Sequence, residues 1–296
     1  MKNISNRSKS VWSYIGLFMV AMIWGFAFVV VKESLNYVPP TYMIAFRYSI
    51  AFVGMLLICI PKLKKMNKRT FVHGIIPGVF LFVAYEVQTI GCKYTTAGKN
   101  AFLTALYIII VPFLSWIFVK KRPKVRVFVA AIIALTGIGL ISLSNDFSIG
   151  FGDLMTIICA VFFSLQIIAL DIFVKNDDPV IICMIEMGVC AALGWILSPI
   201  ADGAFPVRAV KLPSVWFGML FLGIMSTMVC QMLQSVCQKY TKPEKASLIM
   251  SMESLFGALG SIIFLGEVFT AKVLCGCVLM VIAIVLAQAR FSKHEK

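Results

Sequence analysis

The sequence predicts an all-α membrane protein, with ten transmembrane helices arranged as two inverted five-helix repeats and both termini on the cytoplasmic side. The first observation is composition: of 296 residues, 60% are hydrophobic and only 14% are charged, with a mean hydropathy of +0.95. A soluble domain of this length could not bury so much apolar surface, and about a quarter of its residues would be charged. The other two observations are the spacing of the apolar stretches and the distribution of basic residues. Together they exclude a soluble, a disordered and a fibrous protein.

Charge clusters, prolines and turn residues divide the chain into ten apolar stretches. The first follows Lys2, Arg7 and Lys9 as a signal peptide would, but it lacks a convincing cleavage site and is interpreted as a retained span. Because lipid offers the backbone no hydrogen-bond partners, each stretch is expected to be a helix. Continuous runs of about 20 residues are unlike the short alternating strands of a membrane barrel. The stretches are 12–32, 41–60, 72–91, 98–119, 125–143, 151–174, 180–200, 214–238, 244–266 and 270–290.

Basic residues indicate the orientation and test the number of spans. With the N-terminus inside, twenty of the 27 Lys and Arg residues fall in cytoplasmic segments, six fall in the opposite loops, and Arg47 falls within the second span. The largest groups lie at 62–69 and 120–126, and a missed or invented span would move one of them outside. This clustering at span ends accounts for the net charge of +14 without a nucleic-acid partner, so the lipid bilayer is the expected partner.

The two halves of the chain resemble each other. The tripeptide Lys-Tyr-Thr at 93–95 recurs at 239–241, an offset of 146 residues, and Pro40 falls on Pro179 at an offset of 139. The sequence therefore predicts two repeats, at 1–145 and 146–296. An odd number of spans in each repeat makes the second copy enter the membrane from the opposite side. Inverted repeats place a substrate site near the midplane, between gates at the two faces.

The same residues resemble a known family. Trp24-Gly25, Arg47 and the stretch 94–107 are similar to an EamA-type domain of the drug/metabolite transporter superfamily. The stretch 240–267 is similar to its partner copy, so the resemblance covers nearly the whole chain. It implies transport of amino acids, amines, sugars or other small metabolites. One departure is that Lys121 occupies the end of the fourth span, where the family often has an acidic residue, whereas Glu267 keeps that residue in the second half.

Polar residues within the spans indicate the substrate site, because each normally faces a packed interior or a wet cavity. Several share one helical face, and the repeat relates some of them in pairs: Tyr85 and Gln88 match Gln231 and Gln234 at the 146-residue offset. The predicted substrate-binding residues are Trp24, Tyr85, Glu86, Gln88, Asn100, Thr104, Tyr107, Phe163, Gln231, Gln234, Met250 and Glu253. The alternative for the amides, the threonine and Trp24 is that they only pack between helices.

The carboxyl groups within the spans are the most informative residues. Glu86 has no counterpart in the repeat, since Met232 stands there, so it is predicted to serve this protein's own substrate or coupling. The alternative is an outer residue that reaches water. Glu253 belongs to the family-like stretch, so substrate contact and a structural or gating role are both open. Glu186 matches Arg47 in the repeat, and each is interpreted as an anchor of a span end.

These features predict a secondary transporter that moves a small organic metabolite, an amino acid or organic amine, by alternating access through a central cavity, with export as the favoured direction. The alternative is a broad-specificity exporter of drugs or organic cations. An intramembrane enzyme and a channel are remote alternatives: two histidines, His73 and His294, offer no His pair for a metal and no GxSxG elbow is present.

The remaining expectations concern cofactors, partners and location. No cofactor or metal site is predicted, and the nine cysteines, almost all within apolar stretches, are interpreted as small buried hydrophobes. The chain lacks an ATP-binding loop, so proton coupling, exchange and facilitation remain as modes of transport. The expected location is the cytoplasmic membrane, as a multi-pass protein, and the sequence does not indicate an oligomeric state.

Overall fold

The computed structural model describes residues 2–120, 122, 124–142 and 149–288. The first half of the described chain consists of helices joined by short turns, with a single 3-10 turn at Ile60–Lys65. Its helices are α1 Lys2–Ser34, α2 Pro40–Cys59, α3 Lys68–Tyr94, α4 Ala97–Thr104, α5 Tyr107–Val119 and α6 Val125–Ser142.

The second half repeats this order with one difference in the eighth span. That span begins and ends as α-helix but passes through a π-helical segment at Phe221–Val229, and a 3-10 turn at Ala209–Lys211 precedes it. The helices are α7 Phe151–Phe173, α8 Pro179–Ala201, α9 Pro213–Leu220, α10 Cys230–Gln238, α11 Pro243–Met250, α12 Glu253–Leu265 and α13 Ala271–Gln288.

The prediction of an all-α membrane protein is confirmed. Within the described ranges, eight continuous or near-continuous helices are long and apolar enough to cross a membrane, and they match eight of the ten predicted stretches. The predicted fifth and tenth stretches form α6 and α13, whose apolar parts are shorter, at Phe128–Ile141 and Ala271–Ala283. The predicted ends of these two stretches and the predicted repeat boundary at 145/146 lie outside the described residues.

The fourth and ninth spans differ from the sequence prediction, because both are broken. The fourth changes from α4 to α5 after Thr104, and the ninth changes from α11 to α12 after Met250, which is the equivalent position at the 146-residue offset. At the second break the Ser251 hydroxyl donates to the Leu248 carbonyl and the Ser254 hydroxyl donates to the Ser251 carbonyl. Such local side-chain bonds compete with the helical ladder. The ninth span was expected at 244–266 and the fourth at 98–119, with an interruption of the fourth at Pro112, which instead lies inside α5.

The helices pack with a pseudo-two-fold relation between the halves. Helix α3 packs against α7 in the same way that α1 packs against α9 and α10, and two pairs, α2 with α8 and α6 with α13, join equivalent spans directly. In the last pair the backbones nearly touch, since a Cβ added at Gly276 would lie 2.7 Å from the Gly137 carbonyl oxygen. Because each half holds five spans joined by short connections, the two halves run in opposite directions through the membrane.

One end of the bundle is tied together by acidic residues that follow α7. The Asp177 carboxylate accepts hydrogen bonds from the Thr70 hydroxyl at 2.7 Å and from His73 Nδ1 at 2.7 Å. Burial alone would raise the pKa of Asp177, but these bonds and the nearby positive charge outweigh it and hold the pKa below its usual range. Asp178 forms an ion pair with Lys62 at 3.1 Å. The charge pattern predicts that this end of the bundle lies on the cytoplasmic side.

Candidate functional site

A central cavity lies between the two halves of the bundle. Its walls come from α1, α2, α3 and α5 of the first half and from α7, the π-helical segment, α10, α11 and α12 of the second. The cavity has a volume of only about 30 Å³, so it is narrow in this conformation. The lining residues are Trp24, Ala27, Phe28, Val31, Arg47, Tyr85, Gln88, Tyr107, Phe163, Ile167, Ser226, Gln234, Met250 and Glu253.

Aromatic side chains form one wall of the cavity. The Trp24 indole N–H donates to the Ser226 carbonyl oxygen at 2.7 Å, which fixes the ring between α1 and the π-helical segment. A backbone carbonyl oxygen has two lone pairs, so it can accept from another helix as well as from its own segment. Tyr85 and Phe163 pack edge to face with ring centroids 5.0 Å apart, joining α3 to α7. The aromatic wall therefore combines both halves.

Arg47 is a cavity residue that the sequence analysis did not select. The side chain is 2% exposed, and Nε donates to the Thr227 hydroxyl at 2.9 Å while Nη2 donates to the Ser226 hydroxyl at 3.2 Å. The guanidinium carbon also lies 4.7 Å from the centroid of the Tyr85 ring, a cation–π arrangement. The interpretation of Arg47 as an anchor of a span end does not match this position. A lone arginine inside an otherwise uncharged span was the signal for a functional role.

Glu253 and Tyr107 occupy equivalent places in the two halves, each at the first residue of the helix that follows a break. Both line the cavity and both are buried, at 4% and 3% exposure. The Tyr107 hydroxyl and the Glu253 carboxyl group are close enough to interact electrostatically, yet the hydroxyl forms no hydrogen bond of ordinary geometry with the described residues. No ion pair joins Glu253 to Arg47 among those residues, although both face the cavity.

Two glutamines complete the polar lining. Gln88 donates from Nε2 to the Thr104 hydroxyl at 3.1 Å, and its backbone carbonyl accepts from the Asn100 side-chain amide at 3.2 Å. On the opposite half, Gln234 donates from Nε2 to the Gln166 side-chain oxygen at 3.2 Å. Asn100 and Thr104 therefore lie behind Gln88, where they hold it in place, and they are absent from the cavity lining.

The structure brings eight of the twelve predicted site residues to one cavity, and it places Glu86, Asn100, Thr104 and Gln231 outside the lining. Glu86 follows Tyr85 on α3 and so points about 100° away from it around the helix axis. Its carboxylate accepts from the Thr41 hydroxyl at 2.6 Å instead. Gln231 lies about one turn before Gln234 on α10, is 1% exposed, and is not among the lining residues. Rotation around the helix axis accounts for Glu86, whereas Gln231 is displaced along the helix.

The fold and the cavity together define a multi-pass membrane transporter, and the comparisons with known proteins identify its family. The chain belongs to the EamA-like transporter family, whose profile matches it twice, over residues 11–143 and 150–288. The family resemblance seen in the sequence is thereby confirmed. The matches cover both halves of the inverted repeat, and the protein is a multi-pass protein of the cell membrane.

Relatives extend over nearly the whole chain. An uncharacterized transporter of Archaeoglobus fulgidus is 29% identical over 282 residues, which cover 95% of this chain and 87% of the relative. The uncharacterized transporter YoaV of Bacillus subtilis is 22% identical over 288 residues, which cover 95% of this chain and 98% of the relative. A solved crystal structure, whose description names no particular protein, superposes with a TM-score of 0.69 at 16% identity. The superposition covers 93% of this chain and 97% of the chain in that structure. That last likeness concerns the fold alone.

Proposed function

We propose that this protein is a secondary transporter that moves an amino acid with an apolar side chain by alternating access through the central cavity, in the outward direction. The observation that carries the proposal is that Arg47 and Glu253 line the same cavity without pairing with each other. A zwitterion carries a carboxylate for the guanidinium and an ammonium group for the carboxylate. Charge-assisted hydrogen bonds of this kind are among the strongest available to a ligand.

The rest of the lining suits an apolar side chain. Most other lining residues are aromatic or aliphatic, and the Ser226 hydroxyl is already an acceptor for Arg47. Arg47 Nη1 makes no hydrogen bond within the part of the chain that is described, so a donor is available for a substrate carboxylate. The narrowness of the cavity supports a substrate the size of an amino acid, which would separate the two halves as it binds.

Alternating access is supported by the two broken spans and the pseudo-symmetry. Helix breaks within a transmembrane bundle give a pair of half-helices that can move separately, and both breaks lie beside cavity residues, Tyr107 and Glu253. A substrate bound between them would favour whichever side closes around it, since a ligand shifts a conformational equilibrium by its differential affinity.

An exporter of organic cations is the second candidate, and one observation favours it. The aromatic wall and the Glu253 carboxyl group form a setting that attracts ammonium compounds. Arg47 counts against a cation without a carboxylate, because its fixed positive charge would face the ligand in a cavity that excludes most water.

The test is counterflow of radiolabelled L-leucine in proteoliposomes, with two competitors that each lack one charge. Leucine methyl ester lacks the carboxylate, and 4-methyl-2-oxopentanoate lacks the ammonium group. We expect Arg47→Gln to weaken L-leucine binding about 10- to 100-fold, the value of one hydrogen bond between charged groups, with no matching loss for the ester. Glu253→Gln is expected to weaken L-leucine binding with no matching loss in the binding of the oxo acid.

The matched control is Glu86→Gln, which removes a half-buried carboxyl group outside the cavity lining and is expected to keep counterflow within about twofold of the parent. Tetraethylammonium is the cation probe. Saturable tetraethylammonium exchange with no exchange of any amino acid would replace the amino acid proposal with the cation exporter. Inside-out vesicles compared with right-side-out vesicles decide the direction.

A further inference from the structure

A buried hydrogen-bonded chain joins the cavity wall to a carboxyl group that does not line the cavity. Gln234, in the wall, donates to the Gln166 side-chain oxygen at 3.2 Å, and Gln166 donates from Nε2 to Glu186 Oε1 at 3.0 Å. The three side chains are 2%, 1% and 0% exposed. They come from α10, α7 and α8, so the chain lies within the second half of the protein.

Glu186 has no ion-pair partner among the described residues, and its second oxygen, Oε2, accepts no hydrogen bond there. The titratable groups that face it are Tyr48 from α2 and two thiols from its own helix, Cys183 and Cys190. From α3, Gly78 packs its backbone against the Glu186 Cα atom, and Tyr85 reaches only as far as the Tyr48 ring, 5.7 Å between centroids.

Among the residues around Glu186, the nearest positive charge is the Arg47 guanidinium, which lies beyond Tyr48. The Arg47 guanidinium carbon is 5.7 Å from the centroid of the Tyr48 ring, and its hydrogen bonds go to the hydroxyls of the π-helical segment. Gln166 from α7 and Gln234 from α10 are neutral. A carboxylate in these surroundings is costly to keep charged, and one bound proton removes the charge. The site can therefore hold a proton apart from the charged residues that line the cavity.

We propose that Glu186 is a proton-binding site that is coupled to the transport cavity through Gln166 and Gln234. An ionised carboxylate only accepts hydrogen bonds, so Gln166 must turn its NH2 group toward Glu186 and its oxygen toward Gln234. Gln234 then donates inward, and its own oxygen, which has no partner in the described chain, is left for the cavity. The cavity wall offers an acceptor in this state.

A proton on Glu186 reverses the direction of the hydrogen bonds that run from Gln234 through Gln166 to Glu186. The carboxylic acid O–H is a donor, and when Gln166 turns its oxygen to accept it, its NH2 group faces Gln234. Gln234 accepts with its oxygen and turns its own NH2 group to the cavity. One proton thus changes the wall from an acceptor, which suits a substrate ammonium group, to a donor, which repels it. Proton and substrate binding oppose each other, and this coupling is reciprocal.

Because proton binding and substrate binding oppose each other, the hydrogen-bonded chain can couple them in a proton–substrate antiporter, in which a proton enters as the substrate leaves. This extension rests on the proposed function for the identity of the substrate. The proton site itself does not, because Glu186 and its partners are in place without a ligand. Two measurements therefore separate the two proposals.

The first measurement is infrared difference spectroscopy of the purified protein in nanodiscs, with no substrate added, across about pH 3 to 10, a range that covers ordinary and strongly shifted carboxyl groups. The carbonyl stretching band of a protonated carboxylic acid is followed. We expect a titrating component that is lost in Glu186→Gln and kept in the matched control Glu86→Gln. An unchanged titrating band in Glu186→Gln would overturn the proposal, whether or not any substrate is transported.

The second measurement compares L-leucine counterflow without a gradient and L-leucine movement driven by a pH gradient. We expect Glu186→Gln to keep counterflow within about threefold of the parent and to lose the gradient-driven component. Gln166→Leu is expected to keep the infrared band and to lose the drive, because it breaks the chain without removing the proton site. Gradient-driven movement that survives in both variants would overturn the coupling. Absence of L-leucine counterflow in the parent would count against the proposed substrate and leave the infrared result decisive for the proton site.

Discussion

At the scale of single residues, the contact between α1 and α12 shows how closely the cavity is built. A Cβ atom added at Gly25 would lie 2.8 Å from the Glu253 carbonyl oxygen and 2.9 Å from the Gly257 nitrogen, and it would overlap Phe256. Gly25 follows Trp24, and Glu253 begins α12, so both cavity side chains are positioned by this one approach. The glycine is required here for space.

Gly25→Ala is therefore expected to lower the free energy of unfolding by about 1 to 3 kcal/mol, the usual cost of overpacking a tight contact, and to reduce L-leucine counterflow. The measurement is thermal unfolding of the purified protein in detergent. Gly150→Ala is the matched control, since a Cβ there meets nothing within 4 Å, and it is expected to unfold within about 2 °C of the parent. Equal unfolding temperatures for the two variants would contradict the claim that the close contact between α1 and α12 requires a glycine at this position.

At the scale of helices, α4 begins with free backbone N–H groups that a distant residue satisfies. Glu267, between α12 and α13, accepts from the Ala97 nitrogen at 2.7 Å and from the Gly98 nitrogen at 3.1 Å. Thr96 accepts from the Lys99 nitrogen at 3.2 Å. A carboxylate at a helix N-terminus is also favoured by the helix dipole. Glu267 thus links the fourth span to the ninth at the predicted outer end.

Removing the Glu267 carboxylate tests how much its hydrogen bonds to the start of α4 contribute to the stability of the protein. Glu267→Ala is expected to destabilise the protein by about 1 kcal/mol, the typical cost of losing a side-chain cap, and Glu267→Gln by less, because it keeps one acceptor. Glu33→Ala is the matched control, because Glu33 is exposed near the same predicted face and no hydrogen bond or ion pair involves its side chain in the described ranges. Unfolding temperatures are compared in the same detergent. Loss of equal size in the Glu33 variant would attribute the effect to surface charge instead.

The helices could be predicted from the sequence, whereas their interruptions could not. Hydropathy and charge clusters locate spans because lipid imposes a length and a polarity on every one of them. The break before Glu253 involves local competition for carbonyl groups, and neither this break nor the one before Tyr107 leaves a gap in the apolar pattern. The orientation around each helix is also missing from the pattern: Tyr85 was predicted together with its neighbour Glu86, and only packing decides which of the two faces the cavity.

At the scale of the whole molecule, the two faces of the bundle carry contacts that the repeat relates to each other. Lys99 lies 3.8 Å from the Asp153 carboxylate at the predicted outer end. Lys245 donates to the Tyr14 hydroxyl at 3.1 Å at the predicted inner end. The lysines are related by the 146-residue offset and their partners by the 139-residue offset. The outer contact joins opposite charges and the inner one does not, so the two ends are chemically different.

Breaking either contact is expected to shift the protein toward the conformation that is open at that end. A reporter cysteine replaces Met250, which lines the cavity and is 1% exposed, in a background whose nine native cysteines have been substituted. Lys99→Met is expected to raise labelling by a membrane-impermeant maleimide from the outer side about two- to fivefold, since a partly exposed ion pair contributes at most about 1 kcal/mol. Labelling from the inner side is expected to fall.

Lys245→Met should give the mirror result, with faster labelling from the inner side and slower labelling from the outer side. Alternating access requires this opposition, because the two open conformations compete for one population of molecules. A channel has no such competition, and loosening either end would raise labelling of the cavity cysteine from both sides together. Opposed changes in the two lysine variants therefore support the transporter mechanism, and parallel increases would replace it with a pore.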